Sequence, residues 1–295
     1  MPISKRDATA TSWLTGRIRV PARLRALGFA PSIAAVVLLV IVLSAVFAPW
    51  IVPHDPAAID TVNRLKPASA EHIWGTDNYG RDLFSRVLVG GQVSLMLGAL
   101  ATVLSCLIGL VLGLIAGFFR LADMVIMRIM DALMAIPSIL LAIALVALNG
   151  ASVRSVVMAI VVAELPRVVR LVRAVVLSAR EEPYVEAAIT LGTSFPRILW
   201  FHLMPNTFAP LIVQATFVYA SAILVEAILS FLGAGVSSEV PTWGNIMAEG
   251  RQFFLLNPML IFWPALLLSL CILSINLLGD TARDLLDPRL KKREG

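Results

Sequence analysis

EEPYVEAAITLGTSFPRILWFHLMPN, running from Glu181 to Asn206, is a polar, helix-forming island between two apolar runs of membrane length. Connectors this close to a membrane are usually short and carry little helical pattern. Here Pro183 suits a first helical turn, where a missing N–H costs little, and Glu181 and Glu182 lie near that positive helix end. The pattern predicts a helix over Tyr184–Leu191 that stops at Gly192, a residue suited to the C′ position. A second short helix begins with Ser194 as cap and Pro196 in its first turn, and Pro205 precedes the next span. Tyr184, Ala188 and Leu191 fall on one side of the first helix, and Glu186 and Thr190 on another. The adjacent Ala187 and Ala188 admit a close partner backbone, and the Glu186 carboxylate is placed to pair with a partner's Arg or Lys. The competing reading is an amphipathic loop helix lying on the membrane.

The rest of the chain sets this island in a membrane. It is 59% hydrophobic and 15% charged, with a mean hydropathy of +0.87, a composition that favours an integral membrane protein. A helix crossing roughly 30 Å of hydrocarbon needs about 20 apolar residues. Six segments qualify: Ser32–Val52, Val93–Phe119, Met124–Leu148, Val153–Val176, Thr207–Leu232 and Met259–Leu278. With both termini inside, only Arg64, Lys66, Arg81, Arg86, Arg154 and Arg251 of the 24 Lys and Arg residues lie outside, so the positive-inside rule gives an N-in, C-in orientation. The net charge of +5 is then membrane topology, not a nucleic-acid footprint. The basic N-terminal tail, residues 1–31, also suits contact with anionic lipid headgroups. Its basic region and the following apolar run are too long for a signal peptide and read as a retained first span. The permease-like core is residues 32–290, with an outer loop over 53–92, a cytoplasmic loop over 177–206 and a basic tail at 291–295.

The outer loops carry two further patterns. GTDNYGRDLFSRVLVGGQVSL, Gly75 to Leu95, packs Gly75, Thr76, Asp77, Gly80, Arg81 and Asp82 into eight positions. Asp77, Arg81 and Asp82 are expected to form exposed local ion pairs that brace the loop, each worth about 0–1 kcal/mol. EVPTWGNIMAEGRQFF, from Glu239, is expected to form a short interfacial helix with Trp243 and the phenylalanines at headgroup level. Within the spans, Arg128 with Asp131 and Glu164 with Arg167 have the spacing for mutual neutralisation. Glu226 lacks an obvious local partner, which leaves it as a candidate for the transport pathway or for a hydrogen bond to a neighbouring helix or subunit. Pro137 and Pro166 are expected to kink their spans. Cys106 and Cys271 fall inside spans as apolar fillers.

The island's residues also carry a resemblance. Glu186-Ala187-Ala188, then Gly192, then His202-Leu203-Met204-Pro205 are similar to the EAA loop of ABC importer permeases. The family pattern ends in Ile-x-Leu-Pro, and this chain has His202 and Met204 at the two apolar positions. His202 with Pro205-Asn206 is similar to the peptide-importer branch. Gly75-Thr76-Asp77 with Gly80-Arg81-Asp82 and Ser85-Arg86 resembles the outer motif of dipeptide/oligopeptide/nickel permeases, and Leu277 to Arg289 resembles the ending of their C-type subunit. The resemblance implies an all-α type I ABC importer permease fold with six transmembrane helices in the cytoplasmic (inner) membrane of a prokaryote. It implies a homologous second permease, two ATPase subunits that bind ATP and Mg, and an extracytoplasmic solute-binding protein. In the family the loop is the coupling helix, so Glu186 would contact the ATPase and Gly192 would allow the bend, with Tyr184, Ala187, Ala188, His202 and Pro205 in the docking element.

Several chemistries find no support. There is no Walker-type phosphate loop for ATP hydrolysis by the chain itself. No metal-spaced Cys/His set and no nucleophile–base pair is present, and His54, His72 and His202 lie far apart in sequence. The chain reads as a non-enzymatic transport subunit that binds no cofactor or metal of its own. An ion-driven secondary transporter would show inverted repeats and broken mid-membrane helices, which the sequence does not display. Dipeptides, longer peptides, glutathione, nickel chelates and haem all suit the branch.

Overall fold

A computed structural model describes residues 29–286, and every regular element among them is helical. The tails on either side lie outside the described residues, and with them most of the basic N-terminal segment and the Asp287 to Arg289 end of the C-terminal motif. In chain order the elements are α1 (Phe29–Val46), α2 (Ala48–Ile51), α3 (Leu83–Phe118), α4 (Arg120–Met134), α5 (Ser138–Asn149), α6 (Val153–Arg180), α7 (Pro183–Thr190), α8 (Phe195–Ile198), α9 (Met204–Phe231), α10 (Trp243–Arg251) and α11 (Met259–Leu286). Four helical segments are long and apolar enough to cross a membrane: α1, α3, the continuous stretch Phe195–Phe231, and α11. The pair α4–α5 makes a fifth if counted as one bent span. Helix α6 has 28 residues, enough for a crossing, but Arg154, Glu164, Arg167, Arg170, Arg173 and Arg180 make it less apolar than the others. The expected six-span count is therefore met only approximately.

The spine of the bundle is α3 against α6. Gly109, Gly113 and Gly117 form a stripe at four-residue spacing along α3. A Cβ built at each would come within 2.5–2.6 Å of Val168, Val172 and Val176, which share the same spacing on α6. Between lipid-embedded helices there is no hydrophobic drive to associate, so close backbone approach supplies the attraction through dispersion. Leu110, Leu114, Val168, Val172 and Val176 are buried around this seam. Helix α1, by contrast, buries only Ala34, Ile41 and Ala45. Its remaining surface is the apolar face expected toward lipid or another subunit.

Two expected spans change shape. The segment around Pro137 is not a kinked helix: α4 and α5 meet at 93° across Ala135–Pro137. Proline removes a backbone donor and disfavours helical conformation in the residue before it, and that is enough to end α4 here. Two ion pairs hold α4 on α6: Asp131 with Arg170 at 2.5 Å, and Asp123 with Arg173 Nη2 at 2.6 Å. Asp131 thus pairs across helices and not with Arg128 as its spacing suggested. Glu164 and Arg167 do pair, at 3.1 Å, and Glu164 also accepts from Ser221 at 2.7 Å, which ties α6 to α9. The outer loop ends earlier than expected, since α3 already begins at Leu83. Cys106 and Cys271 are free thiols, the second fully buried.

Helix α10 also departs from expectation. Trp243 is 1% exposed and packs over Gly91 of α3, with its indole Nε1 donating to the Val87 carbonyl at 3.0 Å. It is a core residue of the outer cap and not a headgroup anchor. The glycine seam yields a direct expectation. Gly113→Leu must push Val172 away or spread α3 from α6, and overpacking of this kind costs about 1–3 kcal/mol or more. Its thermal unfolding midpoint in detergent should fall well below wild type, with Gly113→Ala intermediate.

Candidate functional site

The cytoplasmic island is built almost as its local signals dictate. Pro183 opens α7, which ends at Thr190. Gly192 has φ +75°. The Gly192 N–H donates to Ile189 O and the Thr193 N–H to Ala188 O, each at 3.0 Å. This is a Schellman termination, which needs the left-handed conformation at the glycine.

The faces differ from the expected ones. Val185 and Ala188 are buried, at 0% and 7% exposure, and Val185 enters the cluster that holds Val176, Ile198 and Leu203. Tyr184 is about half exposed and Leu191 almost fully so, so Tyr184, Ala188 and Leu191 do not form one buried side. The two alanines separate: Ala188 serves the fold's own packing, and Ala187 stays exposed beside Glu186. Among the described residues no group pairs with the Glu186 carboxylate. Tyr184 is tied to the following span, because Asn206 Nδ2 donates to its hydroxyl at 3.0 Å and the His202 ring lies 6.4 Å away, near parallel.

The second half of the island is not a separate helix. Helix α8 runs through a π turn, Leu199–Leu203, directly into α9, so the span starts at Phe195 and not at Thr207. Pro205 sits in the first turn of α9. It brings no N–H and its ring crowds the carbonyl four residues back, and the wider turn before it accommodates both. Phe195 packs on Phe118 and Phe119, with ring centroids 5.6 and 5.8 Å apart, and Arg180 donates to Phe118 O at 3.2 Å. The island is thus fixed to the inner end of the α3–α6 spine. Leu191, at the end of α7, and Phe201, in the π turn, remain exposed, at 85% and 74%.

On the outer side the motif residues converge. Gly75 and Gly80 have φ near +79°, and a Cβ at Gly80 would sit 1.7 Å from the Asp60 carbonyl oxygen. Thr76 anchors the loop by accepting from the Lys66 N–H at 2.9 Å. Asp77 accepts from the N–H groups of Tyr79 and Arg81 at 2.8 and 2.9 Å, from Arg81 Nε at 2.6 Å, and lies 3.2 Å from Arg86 Nη1. Arg81 and Arg86 reach on to Glu249 of α10, at 2.7 and 3.0 Å. Asp82 instead caps α3, accepting from Ser85 N and Oγ at 2.8 and 2.6 Å. Bracing is what these residues do, but they are buried and not exposed: Asp77, Arg81 and Asp82 are 2%, 9% and 2% exposed. Glu249 was beyond sequence reasoning, since nothing local marks a partner 163 residues from Arg86. Burial pushes its carboxyl up to about 7, with Arg81 opposing and Asp77 reinforcing.

Glu226 is fully buried. Its two carboxylate oxygens accept from Ser94 at 3.0 Å and Ser230 at 2.8 Å. Through Ser94 it links α3 to α9, which is the hydrogen bond to a neighbouring helix that was one of its two candidate roles. The two histidines set aside as distant also meet: the rings of His54 and His72 are 4.8 Å apart.

A helical bundle with membrane-length apolar helices and a polar cap at one end defines a polytopic membrane protein. Residues 109–292 match the family model described as binding-protein-dependent transport system inner membrane component, and residues 32–68 match the N-terminal TM domain of oligopeptide transport permease C. A probable peptide ABC transporter permease of Sinorhizobium fredii is 49% identical over 239 residues, covering 81% of this chain and 82% of its own. A dipeptide transport system permease of Alkalihalophilus pseudofirmus is 43% identical over 251 residues, 85% of this chain and 83% of its own. A glutathione transport system permease of Escherichia coli is 40% identical over 293 residues, 99% of this chain and 95% of its own. The chain belongs to this family of inner-membrane permease subunits of ABC transporters.

Glu249 makes the outer cap sensitive to pH. A carboxyl raised from 4.5 to about 7 holds its proton in the folded state over a range where the unfolded chain releases it. Its contribution is fully present below pH 4.5 and is lost as pH rises through 7. The unfolding midpoint of wild type relative to Glu249→Gln should therefore fall between pH 5 and 8, since the amide removes the titrating group.

Proposed function

We propose that this chain is one half of the translocation path of an ATP-driven peptide importer, worked through α7 by separate ATPase subunits. The observation that carries the reading is the outward pairing of Glu186 and Ala187 on a helix whose opposite face is buried. An unpaired carboxylate beside a small side chain, on an element fixed at both ends, suits insertion into a groove carrying Arg or Lys. Exposed Leu191 at the end of the same helix offers apolar area for the same partner. The peptide relatives support a peptide cargo. In this reading a homologous second permease completes the pore. Two ATPases bind ATP and Mg, this chain binding neither, and an extracytoplasmic binding protein delivers the solute to the outer cap. ATP-driven closure of the ATPases would draw the two docking helices together and turn the pore outward. Glutathione is a second reading for the cargo, favoured by the relative that aligns over nearly the whole chain.

Charge reversal at the docking face tests the coupling. Glu186→Arg is expected to lose ATPase co-purification and peptide uptake by at least about tenfold, since a like charge against a basic groove costs several kcal/mol. Membrane insertion and thermal midpoint should stay near wild type, because Glu186 is exposed and unpaired. Unchanged uptake and co-purification in Glu186→Arg, and again on deletion of 184–191, would sink the coupling role. Uptake by the reconstituted chain without any ATPase would overturn the importer reading altogether. Competition by di-, tri- and oligopeptides and by glutathione separates the cargoes.

A further inference from the structure

We propose that His54, His72 and Asp82 are the protein ligands of a divalent transition-metal site, for a Zn²⁺-type ion, on the outer side of the protein. Each residue offers one ligand atom, and these atoms all lie within 4.8 Å of one another. His72 Nδ1 is 3.0 Å from Asp82 Oδ1, and His54 Nδ1 is 4.0 Å from the same oxygen. Bonds of about 2.0–2.2 Å to nitrogen and oxygen in tetrahedral array put neighbouring ligand atoms about 3.3 Å apart. His72 and Asp82 already meet that spacing. His54 stands 4.0 Å from Asp82 Oδ1 and the widest separation in the set is 4.8 Å, so its ring needs to close by about 1.5 Å by the same geometry, and its side chain is 36% exposed at the loop surface.

Three features favour a cation over a plain hydrogen-bonded cluster. First, His54 Nδ1 is buried without a hydrogen-bond partner, an arrangement that is costly if nothing fills it. Second, Asp82 is 2% exposed and faces no arginine, because Arg81 and Arg86 are both committed to Asp77 and Glu249. Third, the ligands are already oriented. Ser85 occupies Asp82 Oδ2 through both its N–H and its hydroxyl, which leaves Oδ1 facing the histidines. His72 is fixed through its main chain, donating to Ser69 Oγ at 3.0 Å and accepting from the N–H groups of Ser69 and Gly75 at 2.8 and 2.9 Å. Such outer support is characteristic of metal sites. Two imidazoles and one carboxylate form a borderline donor set that suits Zn²⁺ over Mg²⁺ or Ca²⁺. Three protein ligands leave at least one position open to water. The bound ion would clamp the start of the outer loop to the N-cap of α3, closing a loop of 29 residues from position 54 to position 82.

The test uses the full chain in lipid nanodiscs, freed of any polyhistidine tag and stripped with chelator. Titration with Co²⁺, read by its visible ligand-field absorption, should show one ion per chain, displaced by Zn²⁺. Zn²⁺ should raise the thermal midpoint of wild type. His54→Ala and His72→Gln should each weaken binding by at least about 100-fold, since loss of mere supporting residues costs 10–100-fold, and should abolish the midpoint shift. If His72→Gln does not fold, His54→Ala at the loop surface decides alone. Absence of the cobalt bands in wild type overturns the proposal. So does an unchanged spectrum and stoichiometry in His54→Ala, which would place any bound metal elsewhere. Failure here leaves the importer reading untouched, because neither histidine belongs to the docking face.

Discussion

The backbone of α3 rides directly on a ridge of valines from α6, and the rest of the bundle is arranged around that seam. Lipid tails are as apolar as valine, so the pair gains little from hiding apolar surface. It gains from contact distance, which only glycine at 109, 113 and 117 permits. The rigidity has consequences at both ends. At the inner end the same buried cluster accepts Val185 of α7 and Ile198 and Leu203 beyond it. At the outer end α3 presents Gly90 and Gly91 to α10, whose Trp243 and Ile246 settle on them. Neither terminal structure has much core of its own, and each borrows one from the spine.

The outer cap solves a different problem, that of holding charge out of water. Arg86 is 2% exposed, and a buried guanidinium is tolerable only with its partners in place. Asp77 and Glu249 supply them from two directions, with Arg81 bridging the same two carboxylates. Two guanidinium and two carboxyl groups thereby join the first outer loop, α3 and α10. Removing one partner of such a set costs about 3–5 kcal/mol, while the complete set contributes little net stability. What it specifies is geometry: α10 must sit where Glu249 reaches both Arg81 and Arg86. Glu226 works in the same way one layer down, taking its hydrogen bonds from Ser94 and Ser230.

How far these arrangements are legible in the sequence depends on how local their causes are. The termination of α7 at Gly192 is a rule about five consecutive residues, and it is read correctly from them. The apolar runs and the asymmetry of Arg and Lys place the chain in a membrane for the same reason. Faces and partners are another matter. Val185 points inward because Ile198 and Leu203 are there to meet it, which no periodicity within eight residues reveals. Trp243 is indistinguishable in sequence from an interfacial anchor until Gly91 is seen opposite it. His54 and His72 look isolated along the chain, and the turn at Gly75 and the cap at Asp82 bring them together. The glycine stripe of α3 was there to be read, at strict four-residue spacing, and it points to a helix contact without saying which helix supplies the valines. The right angle at Pro137 was foreshadowed as a kink. Its size follows from α4 being pinned to α6 by Arg170 and Arg173, and those pairings are long-range.

Seating α7 on the spine bears on how any force applied at Glu186 would travel. Tyr184 is bonded to Asn206, Phe195 is wedged against Phe118 and Phe119, and Arg180 holds the Phe118 carbonyl. A helix fixed at so many points cannot swing independently. It moves with α3, α6 and α9, which are cross-linked further out by Glu164 to Ser221 and by Glu226 to Ser94. Displacement at the inner surface then appears at the outer cap as rotation of one body, since packed interiors deform little. The compliance must lie where this body meets others. The thinly buried faces of α1, with Val36, Leu39 and Val40 exposed, and the bent α4–α5 pair are its least committed surfaces. In the proposed importer, a chain built this way would open and close a path by tilting against its neighbour, since the packing of its core leaves little room for bending within itself.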